Sequence, residues 1–267
     1  TCAPTPGQPV KDPFVIPVSV GLVGQDGTAI PLTLSNDDPD APVMTTRTLV
    51  LNEPSERFVF TNVTQPVVPS LLRGFSAPVV LDIDLSDLQW LHLLAHDSDP
   101  FNQWEASQRL ALGRLLGAIR QGDEVALDEA YLNALRAALR HPSLAPGFKE
   151  LVLTLPSETY ISEQLESVDP QQVHAVREAM KLQLAQSLQT HWETCYEQNK
   201  VTGAYSPDAK SSGKRALSGM ALSMLCLAAV HDGTSNWPGK ALQAFKDAHN
   251  MTDRFNALVA LVGSGHD

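Results

Sequence analysis

The sequence predicts an antiparallel β-sandwich of the immunoglobulin/fibronectin kind over residues 1–85, followed by an irregular, superhelix-like all-α array over residues 86–267. Three observations predict it. The first third alternates apolar and polar residues in short β-branched runs punctuated by Pro and Gly. The remainder repeats its apolar residues every three or four positions. The change of period falls inside one stretch, Leu71 to Ala106, which closes the last alternating run and opens on Asp99-Pro100.

Within the sandwich, residues 14–23 alternate and are rich in Val and Ile, and Asp26-Gly27 supplies a hairpin turn before residues 29–32. Pro17 and Pro31 belong at edges or bulges, because neither can donate to a ladder. Residues 46–51, 57–63 and 79–85 complete the predicted strands. The segment 36–42, with Asp37, Asp38 and Asp40, is an acidic loop expected to be a solvated connection.

In the helical part, Asp99 is an N-cap with Pro100 at the first helical position. Phe101, Trp104, Leu112, Leu115 and Ile119 follow before Gly122 stops the helix. A second pattern runs through Leu127, Tyr131, Leu135 and Leu139 and ends before Pro142. Asp169-Pro170 opens a longer helix, about 28 residues by its stripe of Val173, Val176, Met180, Leu184, Leu188 and Trp192. Residues 214–230 are apolar nearly all round, which places that helix amid others. Helices over 238–248 and 253–262, the latter capped by Thr252, end the chain. No fixed period recurs, so a consensus helical-repeat family is not indicated. Phe75, Pro78 and Trp104 are expected to pack together at the switch of architecture.

Composition bounds the function. With 43% hydrophobic and 18% charged residues over 267 positions, the chain can bury a sizeable core. A formal charge of −11, from 19 Lys and Arg against 30 Asp and Glu, argues against nucleic acid and against an anionic membrane surface. Cys2, Cys195 and Cys226 lie far apart in odd number, which suits free thiols in a reducing compartment. No basic segment precedes an apolar run at the N-terminus. The longest apolar run, 220–230, is too short to span a bilayer, and a cytoplasmic location is expected.

Few constellations could carry chemistry. His92 and His96 share a helix face at the spacing that zincins use, but the position needed for a catalytic glutamate is Leu93, so no base stands beside a metal-bound water. Two partly exposed helix histidines are the expected reading. Ser157 follows Pro156 without a glycine elbow and reads as an N-cap. Gly213-Lys214 lacks the remainder of a phosphate loop. Cys195 and Cys226 sit among apolar neighbours, as inert buried thiols do.

One further pattern is specific. Leu71-Leu72-Arg73-Gly74-Phe75-Ser76-Ala77-Pro78-Val79 followed by Asp97-Ser98-Asp99-Pro100-Phe101-Asn102-Gln103-Trp104-Glu105-Ala106 resembles the sandwich-to-helix junction of bacterial aminopeptidase N, of the gluzincin zinc metallo-aminopeptidase (alanyl aminopeptidase) family. Pro4 to Pro9 leading into Phe14, Leu153 to Glu158, and Asn250 to Asp253 fit the same family in order. The resemblance implies a sandwich that acts as spacer and helices that help enclose the peptide chamber of a larger enzyme. It implies zinc in that enzyme's catalytic domain. It also implies an intramolecular partner in that domain, peptides met only through the chamber, and an excised or processed piece beginning at Thr1.

The family's His-Glu-x-x-His and Gly-Ala-Met-Glu-Asn motifs are absent from the sequence. The chain is therefore expected to hold no catalytic, cofactor-binding or metal-binding residue and to be inactive alone. The alternative is a stand-alone protein-interaction scaffold. Phe255, Leu258, Val259 and Val262 form a last apolar stripe, expected either to pack on the 214–230 helix or to support weak self-association.

Overall fold

In the computed structural model, which describes residues 3–38, 40 and 42–265, the N-terminal part is built from five strands. These are β1 (Ile16–Gly24), β2 (Thr33–Leu34), β3 (Arg47–Leu51), β4 (Phe60–Thr61) and β5 (Val67–Leu71). They pair antiparallel in two sheets, β3-β1-β5 and β2-β4. Ile16 faces Leu51 and Val20 faces Arg47 on one side of β1; Val20 faces Leu71 and Gly24 faces Val67 on the other. Val20, Leu22, Leu32, Leu34 and Leu49 are buried between the sheets, with Ile30, Phe58, Phe60 and Val67 against them. The antiparallel sandwich is thus formed, with its hairpin turn at Gly27, where φ is +82°.

Pro17 lies within the central strand yet escapes the ladder's demand for a donor. β1 meets β5 only from Val20 onward, and the N–H of Ser19, on that same side, is taken by the Ser76 hydroxyl at 2.9 Å. The side to which Pro17 could not donate carries no strand there.

Two strand expectations are corrected. Residues 79–85 alternate but find no ladder, and Val80 is 97% exposed; without a neighbouring edge to complete, alternation leaves an extended connection. The last strand is instead β5, which the expected strands did not include and which contains Pro69. β5 is an edge strand of its sheet, the place where a sheet tolerates proline.

The helices are α1 (Asp87–His96), α2 (Pro100–Gln121), α3 (Glu129–Arg140), α4 (Pro146–Leu153), α5 (Glu158–Ser162), α6 (Pro170–Ser187), α7 (Gln189–Gln198), α8 (Ala209–His231), α9 (Asn236–Asp247) and α10 (Met251–Gly263). Two compact units result, residues 1–106 and 107–267. Start signals account for most helices. Asp99 Oδ1 accepts from the Asn102 N–H at 2.9 Å, Ser157 caps α5 through the Tyr160 N–H, and Asp169 caps α6 through Gln171 and Gln172. Gly122, at φ +68°, ends α2.

The helix expected to run about 28 residues from Pro170 is broken. α6 stops at Ser187 and α7 restarts at Gln189, with Leu188 at φ −112°, ψ 17°. The stripe is nevertheless continuous, since Val173, Val176, Met180, Leu184, Leu188 and Trp192 are all buried. The indole Nε1 of Trp192 donates to the Leu184 carbonyl at 3.1 Å, adding a second donor to the oxygen that the Leu188 N–H already uses. A side chain inserted on that carbonyl is a recognised cause of a kink where neither Pro nor Gly is present.

α8 packs against α4, α6, α7, α9 and α10, and Leu217, Ala221, Leu225 and Cys226 are almost fully buried. By length and composition its 23 residues would suffice to cross a membrane, so the limit drawn from residues 220–230 is corrected. Its all-round apolar surface is covered by helices. α10 is capped by Asn250, whose Oδ1 accepts from the Asp253 N–H at 2.9 Å, and not by Thr252. It packs on α8 with Ala257 and Ala260 buried, which turns Phe255, Leu258, Val259 and Val262 outward at 61%, 41%, 46% and 72% exposure.

Candidate functional site

The histidine pair has a defined structural task. Ser86 and Gln89 form a reciprocal capping box that starts α1, and the helix brings His92 and His96 onto one face with rings 4.9 Å apart. His92 Nε2 lies 2.8 Å from the Gly24 carbonyl oxygen, so that nitrogen carries the proton and donates. His96 lies under the β1 turn, where a Cβ on Gly27 would come within 2.7 Å of its Nδ1. Partial desolvation, then the neighbouring His92, lowers its proton affinity. Leu93, between them, is buried. Among the described residues no three His, Cys, Asp or Glu side chains converge as metal ligands would.

The most elaborate polar arrangement in the first unit lies at the turn after β5. Leu72 and Phe75 both adopt positive φ, 57° and 54°, around Gly74 at 61°. This tight reversal turns Arg73 inward, where it is buried. Its Nε donates to Ser70 Oγ at 2.8 Å and its Nη1 to Thr46 Oγ1 at 2.6 Å. Nη2 donates to Asp97 Oδ1 at 2.8 Å, with Ser98 Oγ at 3.3 Å. Asn102 Nδ2 adds a bond to Ser70 Oγ at 3.0 Å, and Asp99 Oδ2 accepts from the Gly74 N–H.

Burial raises the proton affinity of Asp97, opposed by hydrogen bonds from Ser70 and the Asp99 N–H and by the charge of Arg73. Asp97 Oδ2 has no hydrogen-bond partner among the described residues. Gly21 is required opposite: a Cβ there would lie 2.3 Å from the guanidinium carbon. A buried, hydrogen-bonded ion pair of this kind fixes geometry more than it adds stability. It carries no nucleophile and no base with access to a substrate.

Sequence reasoning located this stretch but expected an apolar junction. The structure corrects that: Phe75 and Pro78 are exposed and Trp104 is half-buried, although Phe101 stacks between Phe75 and Trp104 at 5.2 and 5.7 Å. Arg73, Ser70 and Gly21 were missed as a set. The signal available was a lone arginine inside the run Leu71-Leu72-Arg73-Gly74-Phe75. Cys195 and Cys226 are buried free thiols, and desolvation pushes Cys226 up to about 12; Cys2 lies outside the described residues.

Comparison with known proteins divides the chain between residues 84 and 87. Residues 1–84 match a family described as a domain of unknown function (DUF3458) with an Ig-like fold. Residues 87–267 match one described as a domain of unknown function (DUF3458_C) of ARM repeats. The latter corrects the expectation that a consensus helical-repeat family is not indicated: the helices match an ARM-repeat family although no fixed period stands out in this sequence. Aminopeptidase N of Caulobacter vibrioides is 32% identical over 247 residues, 92% of this chain and 27% of that protein. Aminopeptidase N of Escherichia coli is 31% identical over 263 residues, 97% and 29% respectively. A crystal structure of Legionella pneumophila aminopeptidase A in complex with aspartic acid has the same fold, with a TM-score of 0.71 at 24% identity over 93% of this chain and 28% of that one. The chain thus spans less than a third of the length of these relatives.

Proposed function

The chain belongs to the DUF3458 family, with an Ig-like unit and ARM repeats homologous to part of aminopeptidase N, and from that premise we propose that it is the non-catalytic C-terminal portion of a zinc-dependent aminopeptidase. Such an enzyme removes N-terminal residues from peptides. In this reading the sandwich is a spacer, and the helices fold over the catalytic domain to wall the chamber in which peptides are cut, in the cytoplasm. The observation that supports it is a match covering nearly all of this chain but only 27–29% of the aminopeptidase N relatives, in a chain whose polar cores are spent on structure. Walls that exclude folded proteins need packed helices and no titratable groups of their own.

The histidine pair is not expected to hold zinc. His92 Nε2 is engaged by a backbone carbonyl, and no third ligand stands near the pair among the described residues. The isolated chain is expected to release no chromophore from an alanyl substrate and to retain no stoichiometric zinc after dialysis. About one zinc per chain, lost on His92→Ala, would overturn this. The open reading frame around these residues should encode His-Glu-x-x-His upstream; its absence would favour the scaffold alternative.

The outward face of α10 is the surface through which copies are expected to associate at high concentration, since exposed apolar patches promote association. Phe255→Ser combined with Val259→Ser should weaken it. Sedimentation of the unmutated chain as a strict monomer at high concentration would count against this surface.

A further inference from the structure

An open pocket of about 360 Å³ lies where the end of α3 meets α4 and α7, wholly within the second unit. Its size falls in the range of small-molecule sites, about 300–1,000 Å³. Arg140, Lys149 and His191 line it, and no Asp or Glu does. The charged lining is thus wholly cationic in a chain where acids outnumber Lys and Arg by 30 to 19.

None of the three has a carboxylate partner among the described residues. Lys149 Nζ donates to the Leu139 carbonyl at 2.6 Å, and Arg140 Nε to the Arg136 carbonyl at 3.2 Å. An ammonium has three donors and a guanidinium five, so both keep free donors for a ligand. Thr190 and Thr194 line the same pocket, one turn apart on α7. Burial lowers the proton affinity of Lys149. Burial, and then the charges of Arg140 and Arg136, do the same for His191. Capping of α3 explains one bond of Lys149; it does not explain why Arg140 and His191 converge on the same cavity with no acid opposite.

We propose that this pocket binds a small oxyanion carrying at least two negative charges. Arg140 supplies a fork of donors, Lys149 a point charge, and the Thr190 hydroxyl a neutral hydrogen bond, while the Thr194 hydroxyl already donates to the Thr190 carbonyl. Phosphate and polycarboxylate ligands share this chemistry and both are tested. The proposal does not depend on the peptidase reading.

Calorimetry of the 267-residue chain with pyrophosphate and with citrate at low ionic strength should give one site per chain for at least one of them. A pyrophosphate-only result would assign the phosphate class, a citrate-only result the carboxylate class, and either supports the site. Affinity should fall about tenfold or more in Lys149→Gln and in Arg140→Gln, and should weaken with salt. Arg140 is exposed, so its variant keeps the test valid if Lys149→Gln fails to fold. The His191 ring resonances should shift on binding. No binding at millimolar ligand, or equal affinity in Arg140→Gln and the unmutated chain, would overturn the proposal, the latter marking adventitious binding elsewhere.

Discussion

Arg73→Ala is expected to destabilise the first unit by about 3–5 kcal/mol, because it leaves the buried carboxylate of Asp97 without its counter-charge. The pair is 4% and 0% exposed at its two side chains, and three segments supply its other bonds. Chemical denaturation measures the loss. A change below about 1 kcal/mol would mean that the pair is solvated. Replacing both partners, Arg73→Met with Asp97→Leu, should cost much less, since neither variant charge remains to be desolvated.

The pH dependence identifies the cause. Asp97 has its affinity for a proton raised above the ordinary 3.8, so the folded state holds that proton more tightly than the unfolded state. Its contribution is therefore most favourable at acid pH and is lost as pH rises from 3.8 through the elevated folded value. In Arg73→Ala the penalty should shrink as the pH falls, because the orphaned carboxylate can then be neutral. Asp37 has the opposite sign: its bond to Arg47 lowers its affinity, and that contribution fades as pH falls.

Trp192→Ala is the second large effect, about 3–5 kcal/mol for a fully buried indole. Trp192→Phe keeps most of the volume and removes only the bond to the Leu184 carbonyl, at about 1 kcal/mol. The two variants separate packing from hydrogen bonding. The phenylalanine variant should also relax the break at Leu188, visible as altered amide protection from Leu184 to Trp192. Equal losses in the two variants would show that the hydrogen bond, and not the packing of the ring, dominates.

Much of the helical part was legible because its start signals are local. Asp99-Pro100, Asp169-Pro170 and Ser157 each cap a helix within three residues of themselves, and all three do so in the structure. The break at Leu188 was not legible, since its cause is a side chain four residues on reaching back to a carbonyl. α4 was overlooked because its eight residues, opening on Pro146-Gly147, are too few for a helical period to stand out.

Strands fared less evenly. Alternation marks which face could be buried but not which strand lies alongside, so 79–85 looked like a strand and Val67–Leu71 did not. The polar junction was illegible for a related reason: Thr46, Ser70, Arg73 and Asp97 are ordinary residues until folding brings Arg73 to partners 27 and 24 positions away. The same holds for Arg140, Lys149 and His191, drawn from three helices.

The clasp between Arg73 and Asp97 also bears on the order in which the chain can mature during synthesis. Arg73 leaves the ribosome 24 residues ahead of its counter-ion, after every strand has emerged and before α1 has. Until Asp97 arrives, the guanidinium has no charge to meet in the interior and is better left in water. Burial of Arg73 is therefore expected only once Asp97, just past the end of α1, has been made, although the strands are complete before it.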